Sequence, residues 1–128
     1  MKLKILPSSL RHKKRYIAFE GVSESYLNRE DVISLLWDNS LNLFGECKTS
    51  NFNLWVMKIW NKKTVKNSKN FFIMGIIQCN REEVDNVRAV IASIAWHKGK
   101  RVVFHTMGIS GTIKSAIEKF INKNLYIV

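Results

Sequence analysis

Proline and cysteine are scarce in this chain, and the scarcity of cysteine excludes disulfide-rich and metal-cluster proteins. Of 128 residues one is proline, Pro7, and two are cysteine, Cys47 and Cys79. Two cysteines make neither a disulfide framework nor a metal cluster, so we expect a cytoplasmic protein with reduced thiols. No Gly/Ser-rich linker divides the sequence. We therefore predict one domain, residues 15–128, preceded by a basic arm, residues 1–14.

Long apolar runs are also missing. No run reaches the roughly 18 residues that a membrane-spanning helix needs, so no membrane span is expected. The first sixteen residues contain few apolar side chains and no small-residue cleavage site. We therefore expect no secretory signal peptide.

Acidic residues are few relative to basic ones. Ten Asp and Glu stand against 21 Lys and Arg, which gives a formal net charge of +11 and a pI near 9.9. Such an excess favours a polyanionic partner, either a nucleic acid or an anionic membrane. The codon bias of an AT-rich genome accounts for the preference for Lys over Arg, but it does not account for the scarcity of acids.

The sequence shows no spacing of residues that is typical of a catalytic site or a metal site. The three histidines are His12, His97 and His105, and none is spaced four residues from another ligand. Nucleophile-elbow, zincin and P-loop motifs are absent from the sequence. The acids Glu82 and Glu83 fall in the predicted first turn of a helix, where they stabilise its dipole. We predict no active site, metal site or cofactor in this chain.

Hydrophobic periodicity predicts four strands and three helices. Asn28, with Asp31 at the third position, predicts a capped helix that ends at Gly45, and Asn80 with Glu83 predicts a second capped helix. The predicted strands are 15–21, 53–60, 71–79 and 101–107, and a third helix is predicted over about 111–124. The order is β-α-β-β-α-β with an added helix. It predicts an α+β, ferredoxin-like fold with a four-stranded antiparallel sheet.

The third predicted strand is apolar on both faces. Phe72, Met74 and Ile76 alternate with Phe71, Ile73 and Ile77. A strand with one wet face alternates between apolar and polar residues, so something covers the second face as well. We expect the C-terminal helix to do so, and a protein partner is the alternative.

Basic residues cluster in three acid-free segments: the arm, the loop after Trp60 and the turn around Gly99. Several cations on adjacent segments neutralise several phosphates and release counterions. The members are Lys2, Lys4, Arg11, Lys13, Lys14 and Arg15 within residues 1–16 (the arm and the start of the first strand), Lys62, Lys63, Lys66 and Lys69 in the loop, and Lys98, Lys100 and Arg101 at the turn. We predict RNA contact first for Arg11, Lys13, Lys14 and Arg15.

The segment Met107–Ser115 offers a second candidate. Gly108 and Gly111 bracket Ser110, which we expect to cap the third helix. Free N–H groups there, with the Thr112 hydroxyl and the Lys114 ammonium, would hold an RNA phosphate. The alternative interpretation is a tight turn with an ordinary cap.

Aromatic residues on the third strand do not match a base-stacking signature. The window from Lys69 to Ile76 lacks the glycine and aromatic spacing of RNA-recognition strands. Phe71 and Phe72 are interpreted as core or interface residues, so we expect recognition of phosphate and RNA shape.

Four stretches together resemble a known family. They are LRHKKRYIAFE at Leu10–Glu20, LWDNSLNLFGE at Leu36–Glu46, GIIQCNREEVDNVRA at Gly75–Ala89 and MGISGTIKS at Met107–Ser115. In order and without large gaps, they are similar to the archaeal ribonuclease P protein component 2 family, itself similar to a eukaryotic ribonuclease P/MRP subunit. Gln78 stands where that family usually has a basic residue, and Met107 where it has Leu.

The resemblance implies a function. Members are non-catalytic RNA-binding subunits of ribonuclease P, the endoribonuclease (a hydrolase) that removes 5′ leaders from precursor tRNA. The RNA subunit, with bound magnesium, is the catalyst. Members pair with protein component 3, a TIM-barrel-like subunit, and self-associate in a two-plus-two complex.

Two other classes compete with this interpretation. A protein–protein scaffold without direct RNA contact would carry its basic charge through codon bias alone. A small acyl-phosphate hydrolase on the same plan would need an Arg-lined anion loop, which the sequence does not show.

Overall fold

The computed structural model describes residues 13–63 and 70–122. Within them lie five strands and three helices. The strands are β1 (Lys14–Ser23), β2 (Trp55–Lys63), β3 (Phe71–Asn80), β4 (Trp96–His97) and β5 (Lys100–Ser110), and the helices are α1 (Arg29–Phe52), α2 (Val84–Ser93) and α3 (Ile113–Ala116), which continues as a π-helical turn, Ile117–Ile121. Most of the predicted arm lies outside the described residues, so the boundary between arm and domain stays a prediction.

The strands form one antiparallel sheet in the order β2-β3-β1-β5-β4. The α+β class is confirmed, and the plan is roughly ferredoxin-like, since omitting β4 leaves the order β-α-β-β-α-β. The expected count of four strands is wrong. The additional strand is β4, a two-residue strand that forms a hairpin with Lys100 and Arg101 at the start of β5. Lys98 and Gly99 both have positive φ, 50° and 79°, as a two-residue hairpin turn requires.

Helix α1 begins as predicted and is interrupted at Gly45. The Asp31 N–H donates to Asn28 Oδ1 at 2.8 Å, and the Asn28 N–H donates to Asp31 Oδ2 at 3.1 Å, which confirms the capping box. Gly45 has φ 78° and kinks the helix, but helical structure resumes and continues to Phe52. The predicted stop at Gly45 is confirmed, because this residue leaves helical geometry. A further helical segment, which was not predicted, runs to Phe52, which is fully buried and stacks edge-on against Phe44 at 5.3 Å between ring centroids.

The second predicted cap is wrong. Asn80 makes no side-chain cap bond, and a 3₁₀ turn, Arg81–Glu83, separates it from α2. Its side chain instead accepts from Lys14 Nζ at 3.1 Å and donates to the Asn51 carbonyl at 2.7 Å. Asn80 therefore joins the start of β1 to the end of α1.

The main core lies between the sheet and the helices α1 and α2. It contains Phe19, Leu36, Phe52, Ile77 and Ile91, all fully buried. Phe19 packs against Phe104 with ring centroids 5.2 Å apart. At the β2 edge of the sheet, the Arg29 guanidinium donates to the carbonyls of Val56 and Met57 and so occupies part of the exposed strand edge.

A second, smaller core lies on the opposite, outer face of the sheet. Ala116 and Ile121 from the C-terminal helix pack on Ala18, Met74 and Ile76, and all five are buried. The prediction that this helix covers the second face of β3 is confirmed. Thr112 begins the helix, so the described part is Ile113–Ile121 rather than 111–124.

Gly108 on β5 lies directly against the Phe120 ring of the C-terminal helix. A Cβ built there would lie 2.2 Å from the Phe120 ring, whereas one at Gly111 meets nothing within 4 Å. We expect Gly108→Ala to lower the free energy of unfolding by about 1–3 kcal/mol, through overpacking. Urea denaturation measures the change. Gly111→Ala is the matched control, and an equal loss in both variants would contradict this contact.

Candidate nucleic-acid interface

Antiparallel pairing brings the two predicted phosphate-binding segments to one end of the sheet. Lys14 pairs with Asn80, and Tyr16 pairs with Ser110, so the start of β1 meets the ends of β3 and β5. We call this end the arm edge. Its described members are Lys13, Lys14, Arg15, Arg81, Ser110, Thr112 and Lys114. Arg11 lies outside the described residues.

The start of β1 is fixed by hydrogen bonds. The Lys14 ammonium donates to Asn80 Oδ1, and Arg15 Nη1 donates to the Lys14 carbonyl at 2.9 Å. Lys13 is exposed, while Lys14 and Arg15 are half-buried. An ammonium has three donors, so Lys14 keeps donors for a phosphate while it holds Asn80.

Arg81 is a member of the arm edge that the sequence reasoning missed. Its N–H donates to the Lys13 carbonyl at 2.8 Å, which places it beside the first residue of β1. Its guanidinium is 3.7 Å from Glu82 Oε1, with both side chains about half exposed. Such a surface pair contributes little, so the guanidinium is accessible to a phosphate. Arg81 could have been found from its position directly after β3, because the end of β3 pairs with the start of β1.

Thr112, rather than Ser110, caps α3. Its hydroxyl accepts from the Ser115 N–H at 3.1 Å, and its carbonyl accepts from the Ala116 N–H at 3.1 Å. Ser110 is the last residue of β5 and is only 9% exposed, so the predicted capping role is wrong. Gly111, Thr112 and Lys114 are exposed beside it.

The other basic clusters lie at the opposite end of the sheet, which we call the far edge. Lys98, Lys100 and Arg101 are exposed at the β4–β5 hairpin. Lys62 and Lys63 occupy the last positions of β2, opposite the start of β3. Lys66 and Lys69 lie outside the described residues. Positive charge therefore stands at both ends of the strands.

Only part of the outer face is covered by α3. Toward the far edge Phe72 is 41%, Val103 54% and Trp96 62% exposed. We call the surface formed by Val22, Phe72, Trp96, Arg101 and Val103 the open half. Phe72 was interpreted as a core or interface residue. It is not in the core, because it lies one strand row beyond the last row that α3 covers, and its role in an interface stays a prediction. Phe71 is half-buried and packs edge-on against Tyr26, with centroids 6.0 Å apart.

The two described histidines lie beside carboxylates, and the buried cysteine is part of the core. His97 Nε2 is 3.3 Å from Asp31 Oδ1, and His105 Nε2 is 2.6 Å from Glu20 Oε1. Among residues 13–63 and 70–122, no three His, Cys, Asp or Glu side chains are grouped to hold a metal. Burial, together with the nearby Glu83, raises the pKa of the Cys79 thiol to about 12, which suppresses its reactivity. No helix in these two ranges is long and apolar enough to span a membrane.

These features define a small basic α+β protein with cationic groups at both ends of its sheet. Comparison with known proteins specifies the class further. The model of the Rpp14/Pop5 family matches residues 15–121, and the chain belongs to this family.

The curated relatives are archaeal proteins named ribonuclease P protein component 2. That of Methanothermobacter thermautotrophicus is 47% identical over 93% of this chain and 94% of its own length. That of Methanobrevibacter smithii is 41% identical over 96% and 100%, and that of Pyrococcus abyssi is 39% identical over 96% and 97%. The resemblance inferred from four short stretches is thus confirmed along nearly the whole chain.

Proposed function

We propose that this chain is a protein subunit of ribonuclease P and binds the catalytic RNA through the arm edge. The complex removes 5′ leaders from precursor tRNA in the cytoplasm. Family membership supports the assignment to the ribonucleoprotein. The observation that carries the RNA contact is that two cationic segments nearly 100 residues apart in sequence meet at one end of the sheet.

The chemistry of the arm edge fits a phosphate backbone. Lys13, Lys114 and Arg81 present accessible charges, and each phosphate that they neutralise releases condensed counterions. The exposed backbone at Gly111 and Thr112 adds polar contacts beside Lys114. These groups position an RNA without reading its sequence, as a subunit that supports a folded RNA requires.

In this proposal the chain breaks no bond. The RNA subunit holds the magnesium ions, and the protein cations reduce repulsion between RNA segments packed close together. Protein component 3 and a second copy of this chain complete the proposed two-plus-two protein assembly, and precursor tRNA is the substrate that the complex binds.

Cleavage of precursor tRNA across a magnesium titration tests the function. The RNA subunit is assayed with component 3 alone and with component 3 plus this chain. We expect the chain to shift half-maximal cleavage to lower magnesium, because its cations replace part of the ionic screening. An unchanged titration curve would refute the proposed support of the RNA.

The scaffold alternative is separated by the salt dependence of RNA binding. A chain that contacts phosphates binds RNA with an affinity that falls steeply as salt rises. A scaffold with incidental charge binds weakly and almost independently of salt. Filter binding of the ribonuclease P RNA at several salt concentrations distinguishes them.

A further inference from the structure

The open half combines exposed aromatic rings with cations on one face of the sheet. Val22 pairs with both Phe72 and Val103, so these three side chains form a row across β3, β1 and β5. Trp96 pairs with Arg101, which lies two residues before Val103 and hence on the same face. Exposed aliphatic and aromatic surface therefore adjoins a guanidinium.

The excess of positive charge around the open half favours a nucleic acid as its binding partner. Cations outnumber carboxylates around the open half in the described part of the chain: Lys98, Lys100 and Arg101 against Glu20 and Glu24. Glu20 is also engaged with His105 at 2.6 Å. An apolar protein partner would have to bury this excess of cations, whereas a nucleic acid neutralises it.

The spacing of the rings suits single-stranded nucleic acid. Neighbouring strands lie about 4.8 Å apart, so Phe72 on β3 and Val103 on β5 are roughly 10 Å apart across β1, and Trp96 is one strand farther. A few unpaired nucleotides span this distance. Flat rings with free faces bind bases by stacking, with little dependence on sequence.

We propose that the open half binds unpaired nucleotides of RNA, with bases stacked on Phe72 and Trp96 and phosphates on Arg101. This contact rests on the proposed RNA-binding function and adds a second kind of recognition to it. The arm edge neutralises backbone, whereas the open half takes bases that project from a loop or a strand end. Helix α3 separates the two surfaces on the outer face.

Two single-stranded RNA probes test the proposal: a labelled oligoadenylate of about eight nucleotides and an oligomer of equal length with abasic residues. We expect the full chain to bind the oligoadenylate more tightly. Trp96→Leu and Phe72→Leu should each weaken that binding by about 5- to 150-fold and leave abasic binding unchanged. Fluorescence anisotropy measures both affinities, and circular dichroism verifies the fold.

Trp37→Leu is the matched control, because Trp37 is also an exposed tryptophan, at 37%, but lies on α1, outside both the open half and the arm edge. Equal effects of the Trp37 and Trp96 variants, or equal losses for both probes, would overturn the stacking site. The proposal would also be overturned if the Trp96 and Phe72 variants kept their affinity for RNA but no longer bound component 3 or a second copy of the chain in sedimentation. That result would identify the open half as a protein interface. If the wild-type chain binds the ribonuclease P RNA and the abasic strand, but the oligoadenylate no more tightly, only this inference fails. If it binds none of the three, the proposed function fails.

Discussion

Neutralising three cations of the arm edge, in the variant Lys13→Gln/Arg15→Gln/Lys114→Gln, is expected to weaken binding of the ribonuclease P RNA several hundredfold at about 0.1 M salt. Each lost phosphate contact removes about 0.9 from the slope of log affinity against log salt, which is roughly eightfold in affinity at that concentration. Three contacts together give about 500-fold, and the slope becomes shallower by nearly 3. Filter binding across a salt series measures both quantities.

The control for this variant compares single substitutions. Arg88 lies on α2, is 53% exposed and is 3.8 Å from Asp85, in the helical layer beyond the sheet. Arg88→Gln removes the same formal charge as Lys114→Gln from a surface outside the arm edge. If the two variants lose affinity equally, total charge rather than the arm edge determines RNA binding.

Ile121→Ala is expected to cost about 2–5 kcal/mol of the free energy of unfolding. Ile121 is fully buried in the outer core against Met74 and Ile76, so its truncation leaves a cavity as well as lost apolar contact. Because α3 is short, it depends on this packing rather than on its own helical propensity. Chemical denaturation followed by circular dichroism measures the loss.

A neighbouring exposed residue supplies the control for the helix. Lys119 lies two positions earlier on the same segment and is exposed. Lys119→Ala should change stability by less than about 0.5 kcal/mol, as surface substitutions generally do. Similar losses in the Lys119 and Ile121 variants would show that helical propensity, not docking on the sheet, holds the segment.

Features that depend on nearby residues were predictable from the sequence. The Asn28–Asp31 capping box joins residues three apart, so its chemistry is visible in the chain itself. The covered second face of β3 was also predictable, because its apolar residues alternate on both faces. Both predictions follow from local pattern and from the need to bury apolar surface.

Features set by distant partners were not predictable. Asn80 failed as a cap because Lys14 and Asn51, far away in sequence, take its side chain. The helical segment after Gly45 was missed because it depends on the burial of Phe52 in the core, and β4 exists only through its pairing with β5. In the candidate site, the residue types of the arm and of the segment from Ser110 to Lys114 were evident. The pairing of distant strands brings these two segments together and places Arg81 beside them, and this register could not be read from the sequence.

The length of the strands separates the two charged ends of the molecule. Strand β3 has 10 residues, so the arm edge and the far edge stand about 33 Å apart. At physiological ionic strength electrostatic interactions are largely screened beyond about 8 Å in solvent. The charges at one end of the sheet therefore have almost no electrostatic influence on ligand binding at the other end. In the proposed complex with RNA, a single copy would hold two phosphate-bearing segments at a fixed separation, and loss of charge at one end would leave binding at the other end unchanged.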